Sequence, residues 1–498
     1  MKKKYVRWTL WTIASPFILF IILCILIYLP PIQNFLVDKA AVYASEATGM
    51  NISVGRISLS FPLNLVVTNV DAASPHNDTL LSVRRLQVNV QLLPLLKKQV
   101  EVDGISLQGA TVNSNDLIHG MRLNGTLGEL FISSHGVALD PETAIVNKVL
   151  LKDTDLSLCL NDTAAADTAA SDTAYWKIIL QDIDLQNVSF ALDMPLDSLS
   201  LAASLDNAIL RDGLIDLHKS AYSLQTFRIK NGRVRYDSGR PSATASADSL
   251  SAGLDPSHIA LTDIGVKLDS LYYEGRNMKA VISQFVLKER SGVEIVSTEG
   301  RLVSNDKVLR VPSLKLETRD SYLELNAAMD WDALDFKKEG LVSARLMADI
   351  GKPDVVRFMG SMDEKFIRKY PSEPLRIRTG IDGDLNKLKL TTLTAELPGA
   401  LELFAKGELT SLTDSLLRGG DITLQAETKD LKFISTLAEG IEIPYGTRLE
   451  GKFTMAGPKM GTDLLLMQPE AHAVAAADTI PITVYNDSIS VADDFKME

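Results

Sequence analysis

The sequence predicts a mainly β protein: one N-terminal transmembrane helix, then a long, curved, mostly antiparallel sheet, groove-like or repeat-built, with few short amphipathic helices. Three observations predict it. Residues 8–30 carry no charge and are almost wholly apolar. Beyond residue 50, apolar and polar residues alternate over most of the chain, as in a strand with one dry and one wet face. Helical periodicity is confined to a few short segments.

The first element is the membrane span. Residues 1–7 (MKKKYVR) form a basic tail, and after Arg7 no charged side chain appears until Asp38. A hydrocarbon core needs roughly 20 apolar residues in a helix, which residues 8–30 supply. Trp8 and Trp11 stand where the cytoplasmic aromatic belt is expected, with Tyr28 near the opposite interface. Phe17, Leu19, Ile22 and Leu26 lie between them. The basic tail predicts a cytoplasmic N-terminus and a chain that continues outside. The rival is a cleaved signal peptide, whose apolar region runs about 7–15 residues to a small-residue cleavage site. Here the run is longer and ends in Tyr28-Leu29-Pro30-Pro31, so a retained anchor is expected.

Residues 31–49 predict an amphipathic helix, with Ile32, Phe35, Leu36, Val42 and Tyr43 mostly on one face and Gly49 as its stop. Residues 50–352 predict sheet. Leu86, Val88 and Val90 alternate with Gln87 and Asn89. The pattern returns at Ile105/Leu107, Ile183/Leu185 and Leu199/Leu201, and later at Leu314/Leu316 and Leu401/Leu403. Asn231-Gly232, Asp103-Gly104 and Asp382-Gly383-Asp384 predict short turns. Residues 161–174 (NDTAAADTAASDTA) are low-complexity and read as a mobile loop within the sheet system.

Residues 353–498 predict repeated helix-plus-strand units. Pro353 to Tyr370 carries Val355, Met359, Met362 and Phe366 at helical spacing, and Asp430 to Gly440 is a shorter version with Phe433 and Leu437. Asp354-Val355 resembles Asp430-Leu431 at a repeat of about 75 residues. A second phrase recurs earlier: Ile183-Asp184-Leu185-Gln186-Asn187-Val188 resembles Phe227-Arg228-Ile229-Lys230-Asn231-Gly232.

Composition excludes some functions. A net charge of −12 argues against nucleic acid as a partner. Two cysteines, Cys24 and Cys159, leave no disulfide framework. Gly446 to Phe453 fits the glycine and lysine positions of a phosphate-binding loop, but Phe453 replaces the magnesium-binding hydroxyl, so a turn and strand are predicted. Asp382, Asp384 and Asn386 begin like a calcium loop, yet Lys387 and Leu393 break it. The histidines are scattered singly. No catalytic, cofactor-binding or metal-ligating residue is assigned, and the chain is not expected to be an enzyme.

One stretch carries a family resemblance. Pro31-Ile32-Gln33, a helix closing at Thr48-Gly49, Ile52-Ser53-Val54-Gly55-Arg56-Ile57 and Phe61-Pro62-Leu63 follow one another in that order. Leu80-Leu81-Ser82-Val83, Leu92-Leu93-Pro94-Leu95-Leu96-Lys97-Lys98 and Ile105-Ser106-Leu107 continue the series. Residues 5–115 thereby resemble the start of AsmA-like proteins, the TamB-like members in particular. The resemblance implies a bacterial inner-membrane anchor and a long β groove in the periplasm. It also implies a role in moving phospholipid, or in assembling outer-membrane proteins with an Omp85-type partner. TamB-like proteins are usually longer and end in a domain that engages that partner. The chain is therefore expected to be either a shorter relative or the N-terminal part of a longer one.

The expected function is a lipid conduit. Leu86, Val88, Val90, Ile105, Leu107, Ile183, Leu185, Leu199 and Leu201 are the candidate groove-lining residues, presenting aliphatic surface to phospholipid acyl chains. Burying each CH₂ of such a chain is worth about 0.8 kcal/mol. The alternatives are an assembly scaffold for outer-membrane β-barrel proteins, and a binding module whose apolar face is simply a closed core.

Overall fold

The computed structural model describes residues 39, 41–42, 45–46 and, apart from gaps, 49–467, 479–485 and 488–491; the longest gaps are 92–101, 162–174 and 240–252. The span expected over 8–30 lies outside the described residues, as does most of the 31–49 helix and all but Asn161 of the low-complexity stretch. Among the described residues no helix is long and apolar enough to cross a membrane. The described part of 31–49 is helical, and it stops as expected. Gly49 takes a φ of 69° while its N–H donates to the Ser45 carbonyl at 2.9 Å, the left-handed termination that glycine allows.

The chain divides into two compact units, Met1–Leu224 with Ile229–Arg240, and Gln225–Arg228 with Pro241–Glu498. The first unit is one sheet. Its strands are β1 (Asn51–Ser60), β2 (Asn64–Ala73), β3 (Thr79–Val90), β4 (Val102–Asn113), β5 (Met121–Ala138), β6 (Thr143–Leu160), β7 (Lys177–Met194), β8 (Leu199–Asp216), β9 (Ala221–Leu224) and the Ile229–Ser238 part of β10 (Thr226–Ser238). From β1 to β9 each strand pairs with the next in sequence, antiparallel at every step but one. The exception is β6–β7, which pair in parallel from Thr143↔Lys177 to Cys159↔Asp193.

The second unit is a meander of β11 (His258–Glu274), β12 (Asn277–Glu289), β13 (Glu294–Ser304), β14 (Val308–Thr318), β15 (Tyr322–Asp330), β16 (Val342–Ile350), β17 (Leu375–Gly383), β18 (Lys387–Leu397), β19 (Leu401–Thr410), β20 (Gly419–Thr428), β21 (Arg448–Ala456), β22 (Lys459–Met467), β23 (Thr479–Tyr485) and β24 (Ser488–Val491). Each pairs antiparallel with the next. Two short helices, α1 (Lys352–Phe358) and α2 (Glu364–Lys369), interrupt it between β16 and β17.

The mainly β, mostly antiparallel sheet with few helices is therefore as the alternation predicts. Three local expectations differ. The helix expected from Pro353 to Tyr370 is two short ones, with 360–363 between them outside the described residues. In the second helical candidate, Asp430 to Gly440, the described residues hold only a 3-10 turn at Ile434–Thr436. Asp103-Gly104 and Asn231-Gly232 lie inside β4 and β10, not in turns. Asn231 takes a φ of 54°: the sequence chemistry of a turn is spent on a kink within a strand. Asp382-Gly383-Asp384 does turn the chain, and Asp384 Oδ1 accepts from the Asn386 and Lys387 N–H groups at 2.7 Å, an Asx turn with no need of calcium.

Candidate functional site

Strand pairing in the first unit aligns the aliphatic residues into rows. Residues directly opposite one another in a sheet share a face. One row runs Ile57–Val67–Leu86–Leu107–Leu130–Leu151–Leu185–Ala208, and its neighbour runs Leu59–Leu65–Val88–Ile105–Ile132–Val149–Ile183–Leu210. Two aliphatic rows thus cross β1 to β8 without a break. At about 4.8 Å per strand they extend roughly 34 Å.

A line of unpaired positions borders these rows. Pairing is skipped at Gly55, Asn69, Arg84, Gly109, Gly128, Asp153, Asn187 and Asp206, one on each strand at the same level. Asn69, Gly109, Asp153 and Asn187 have φ between 49° and 61°. Glycine, Asn and Asp are the residues that tolerate this conformation. Side chains tie the line together: Asn187 Nδ2 donates to Asp153 Oδ1 at 2.7 Å, and Asn231 Nδ2 donates to Asp206 Oδ2. A residue bulged out of the pleat makes its two neighbours consecutive, so they point to opposite faces. Leu185 and Val188, three apart, therefore stay on one face although plain alternation would separate them. Beyond the line the apolar surface resumes as Val54–Val70–Val83–Ala110–Leu127 and, further out, Leu158–Leu192–Leu201. A second line, at Asn147, Gln181 and Asp212, repeats the device on β6 to β8.

The second unit carries rows of its own. Leu316–Leu323–Ala348–Ile377–Ala395–Leu403–Ala426–Leu449 crosses β14 to β21, beside Leu314–Leu325–Leu346–Thr379–Leu393–Ala405–Leu424–Gly451. From β16 onward large and small residues alternate in opposite phase in the two rows. Each alanine is therefore flanked by larger neighbours; Ala348 and Ala405 are buried, Ala395 and Ala426 half-buried. The other face is charged and internally neutralised. Arg378 pairs with Asp349 at 2.7 Å, Lys452 with Asp421 at 3.0 Å and Lys387 with Glu408 at 3.1 Å. Exposed pairs of this kind contribute little stability, but they mark the wet side.

Neither set of rows has the burial of a closed core. Leu86, Val88, Val90, Leu107, Ile183, Leu185, Leu199 and Leu201 are only half-buried, and Ile105 is 37% exposed. One compact apolar cluster is found among the described residues, and it belongs to the helical insertion. There Phe366 of α2 and Tyr370 just after it pack on Leu397, Ala400, Leu431 and Phe433. Burial holds the Tyr370 phenol above its ordinary pKa.

Among the described residues no three His, Cys, Asp or Glu side chains gather where a metal could bind. An open hollow of about 410 Å³ over β18 to β21 contains Glu396, Glu402 and Glu427. Arg376, Lys429 and Arg448 pair with them at 3.4, 2.8 and 3.4 Å. Glu289 is the most shielded carboxylate of the β12–β13 turn: burial acts to raise its pKa, but hydrogen bonds from Ser291, Ala260 and Arg290 outweigh it and hold the carboxyl below its ordinary range. Those bonds close a turn. The Gly446–Phe453 stretch is a turn running into β21, as expected.

No known protein family, curated protein or solved structure matches the chain.

Six of the nine candidate groove residues, Leu86, Val88, Ile105, Leu107, Ile183 and Leu185, fall into the two adjoining rows of the first unit. Leu199 and Leu201 lie on the far side of the kink line, opposite Met194 and Leu192. Val90 pairs with Val102 past a shift in register. The anchor residues Trp8, Trp11, Phe17, Leu19, Ile22, Leu26 and Tyr28 lie outside the described residues. Sequence reasoning missed Leu130, Ile132, Val149 and Leu151. Each sits next to an apolar residue of the opposite face: Phe131 pairs with Leu150, and the contiguous runs Leu130-Phe131-Ile132 and Val149-Leu150-Leu151 mask the alternation.

Proposed function

We propose that this chain is an inner-membrane-anchored periplasmic protein whose apolar β surface, curved into a groove, carries phospholipid between the inner and outer membranes. One observation carries the reading: two unbroken aliphatic rows cross β1 to β8 with their side chains, Ala208 apart, only partly buried. An uncovered apolar strip of that length is rare on a soluble protein unless it binds something. Leu, Ile and Val supply no directional groups, so they suit a chain that must slide rather than lock. The polar face and its ion pairs keep the other side wet. The uncharged stretch 8–30 supplies the anchor, and the AsmA-like resemblance agrees with it.

Photocrosslinking residues at Val88, Leu107 and Leu185 test the reading. Acyl-chain adducts are expected at all three in cells, and Leu107→Asp is expected to abolish capture at Val88 and Leu185 while strand content stays unchanged by circular dichroism. Recovery of an outer-membrane β-barrel protein instead of lipid favours the alternative, an assembly scaffold working with an Omp85-type partner. Absence of both adducts removes the basis for both readings.

A further inference from the structure

The helical insertion of the second unit covers the end of that unit's apolar face. Leu375, Leu397 and Leu401 stand two residues beyond Ile377, Ala395 and Leu403 on β17, β18 and β19, with no register shift between. They form the next row of the same face. Side chains from the insertion lie on that row: Phe366 and Tyr370, joined by Phe433, with ring centroids 5.2–5.8 Å apart. Phe366 is 2% exposed and Ala400 beneath the cluster 0%. An aromatic group thus occupies the place an acyl chain would take on the neighbouring rows.

Beside this apolar packing, α1 is fastened by a buried polar network. Asp354 of α1 is 1% exposed. Its Oδ2 accepts from Thr318 Oγ1 and, at 2.6 Å, from Ser321 Oγ, while its Oδ1 accepts from Arg357 Nη1 at 3.0 Å. Arg357 reaches on to Asp320 at 2.8 Å, and Ser321 Oγ accepts from the Gly351 N–H at 3.0 Å. The start of α1 is in this way bound to the β14–β15 turn. α2 is held through Lys352, whose Nζ donates to the Tyr370 carbonyl at 2.7 Å. A satisfied buried network of this kind fixes one geometry, and losing one member releases it in a step. The exposed Phe358 and Met359 at the end of α1 show that the insertion has apolar surface of its own left over.

We propose that α1 and α2 form a displaceable plug, an internal occupant of the apolar surface that lipid acyl chains compete with, latched by Asp354 to the β14–β15 turn. The proposal rests on the reading of that surface as a lipid track. Loading of acyl chains onto the rows of β17 to β20 pushes Phe366 and Tyr370 off Leu397 and Leu401, and emptying lets the latch re-form.

The test uses the full-length chain held in an amphipathic polymer, with Cys24→Ser, Cys159→Ser and Ala400→Cys. The rate of maleimide labelling at position 400 reads plug opening. Vesicles of phosphatidylethanolamine and phosphatidylglycerol, doped with a photoactivatable phosphatidylethanolamine, are the probe. Labelling is expected to rise roughly tenfold or more when vesicles are added. Without vesicles it is expected to rise by a similar factor in Asp354→Ala and, to a lesser degree, in the milder Ser321→Ala, which keeps two of the three bonds to Asp354. Strand content of each variant is checked by circular dichroism. If photolipid attaches at positions Leu107 and Leu403 but labelling at 400 responds neither to vesicles nor to Ser321→Ala, the insertion is static core and the plug is refuted alone. If no photolipid attaches at either position, the track reading falls and the plug falls with it.

Discussion

Asn187 holds a φ of 51° in the middle of an 18-residue strand, a conformation that side chains branched at Cβ resist. Replacing it separates strain from hydrogen bonding. Asn187→Gly loses the bond to Asp153 but keeps the backbone freedom; Asn187→Val loses both. The left-handed region costs an L-residue about 1–2 kcal/mol, so the valine variant is expected to fall below the glycine variant by that amount in urea denaturation. Equal stability of the two would show that the kink line is not strained. The same residue shows how far the sequence could be read. Asn187 and Asn231 were visible as members of a repeated phrase, and Asn231-Gly232 as turn chemistry. A turn and an in-strand kink ask the same thing of the backbone, and only the pairing of seven other strands at the same level tells them apart. Where a strand alternates cleanly, as at Leu86 to Val90, its inward face was legible. Where both faces are apolar, as at Val149 to Leu151, it was not.

Among the elements, α1 and α2 are the place where helical periodicity gave the right material in the wrong length. Val355, Phe366 and Phe433, apolar positions of the two helical candidates, meet in one cluster, whereas Met359 of the same periodicity is exposed, and Met362 and Leu437 lie outside the described residues. Seven- and six-residue helices are too short to be stable alone, so packing on Leu397 and Ala400 decides where they end. Tyr370 makes this packing pH-dependent. Its pKa in the folded state is raised above 10.0 by burial, so the native protein keeps a proton that the unfolded chain gives up. Stability is therefore full below pH 10 and declines as pH rises past that point. The urea midpoint of the wild type is expected to drop more between pH 9 and pH 11 than that of Tyr370→Phe. Identical losses would mean that the ring is solvated after all. The repeat of about 75 residues is also intelligible here: β17 and β21 each follow an insertion at the same end of the sheet, and Val355 and Leu431 face the same cluster.

At the largest scale, the governing fact is that strands pair in chain order within β1 to β9 and within β11 to β24, while β10 pairs with β8. Each strand is stabilised by its two neighbours, so cooperativity decays along the chain as it does in repeat proteins. Unfolding is expected to be staged: hydrogen exchange in mild denaturant should release β1–β3 and β22–β24 before β5–β8, whose 18-residue strands form the longest ladders. Simultaneous release would argue for a single cooperative core. The mostly antiparallel pairing of the strands is legible from the alternation and the turn residues between runs. The direction of one of them was not, because a low-complexity link between two apolar runs is compatible with either a hairpin or a crossover.

That one parallel pair turns the number of residues between Leu160 and Lys177 into a mechanical limit. To re-enter beside Thr143, the chain must run back the length of an 18-residue strand, a path of roughly 56 Å at about 3.3 Å per residue. A chain spans at most about 3.6 Å per residue, so the link is barely longer than its errand. Its sequence can change freely, but it cannot be shortened. Removing six residues from 162–174 would leave a reach of about 40 Å, and β7 would have to slide along β6, dragging Ile183 and Leu185 out of line with Val149 and Leu151. Replacing the same residues one for one with glycine and serine should leave the protein intact. The least informative stretch of the sequence would then be a ruler that keeps the two halves of the apolar rows in step.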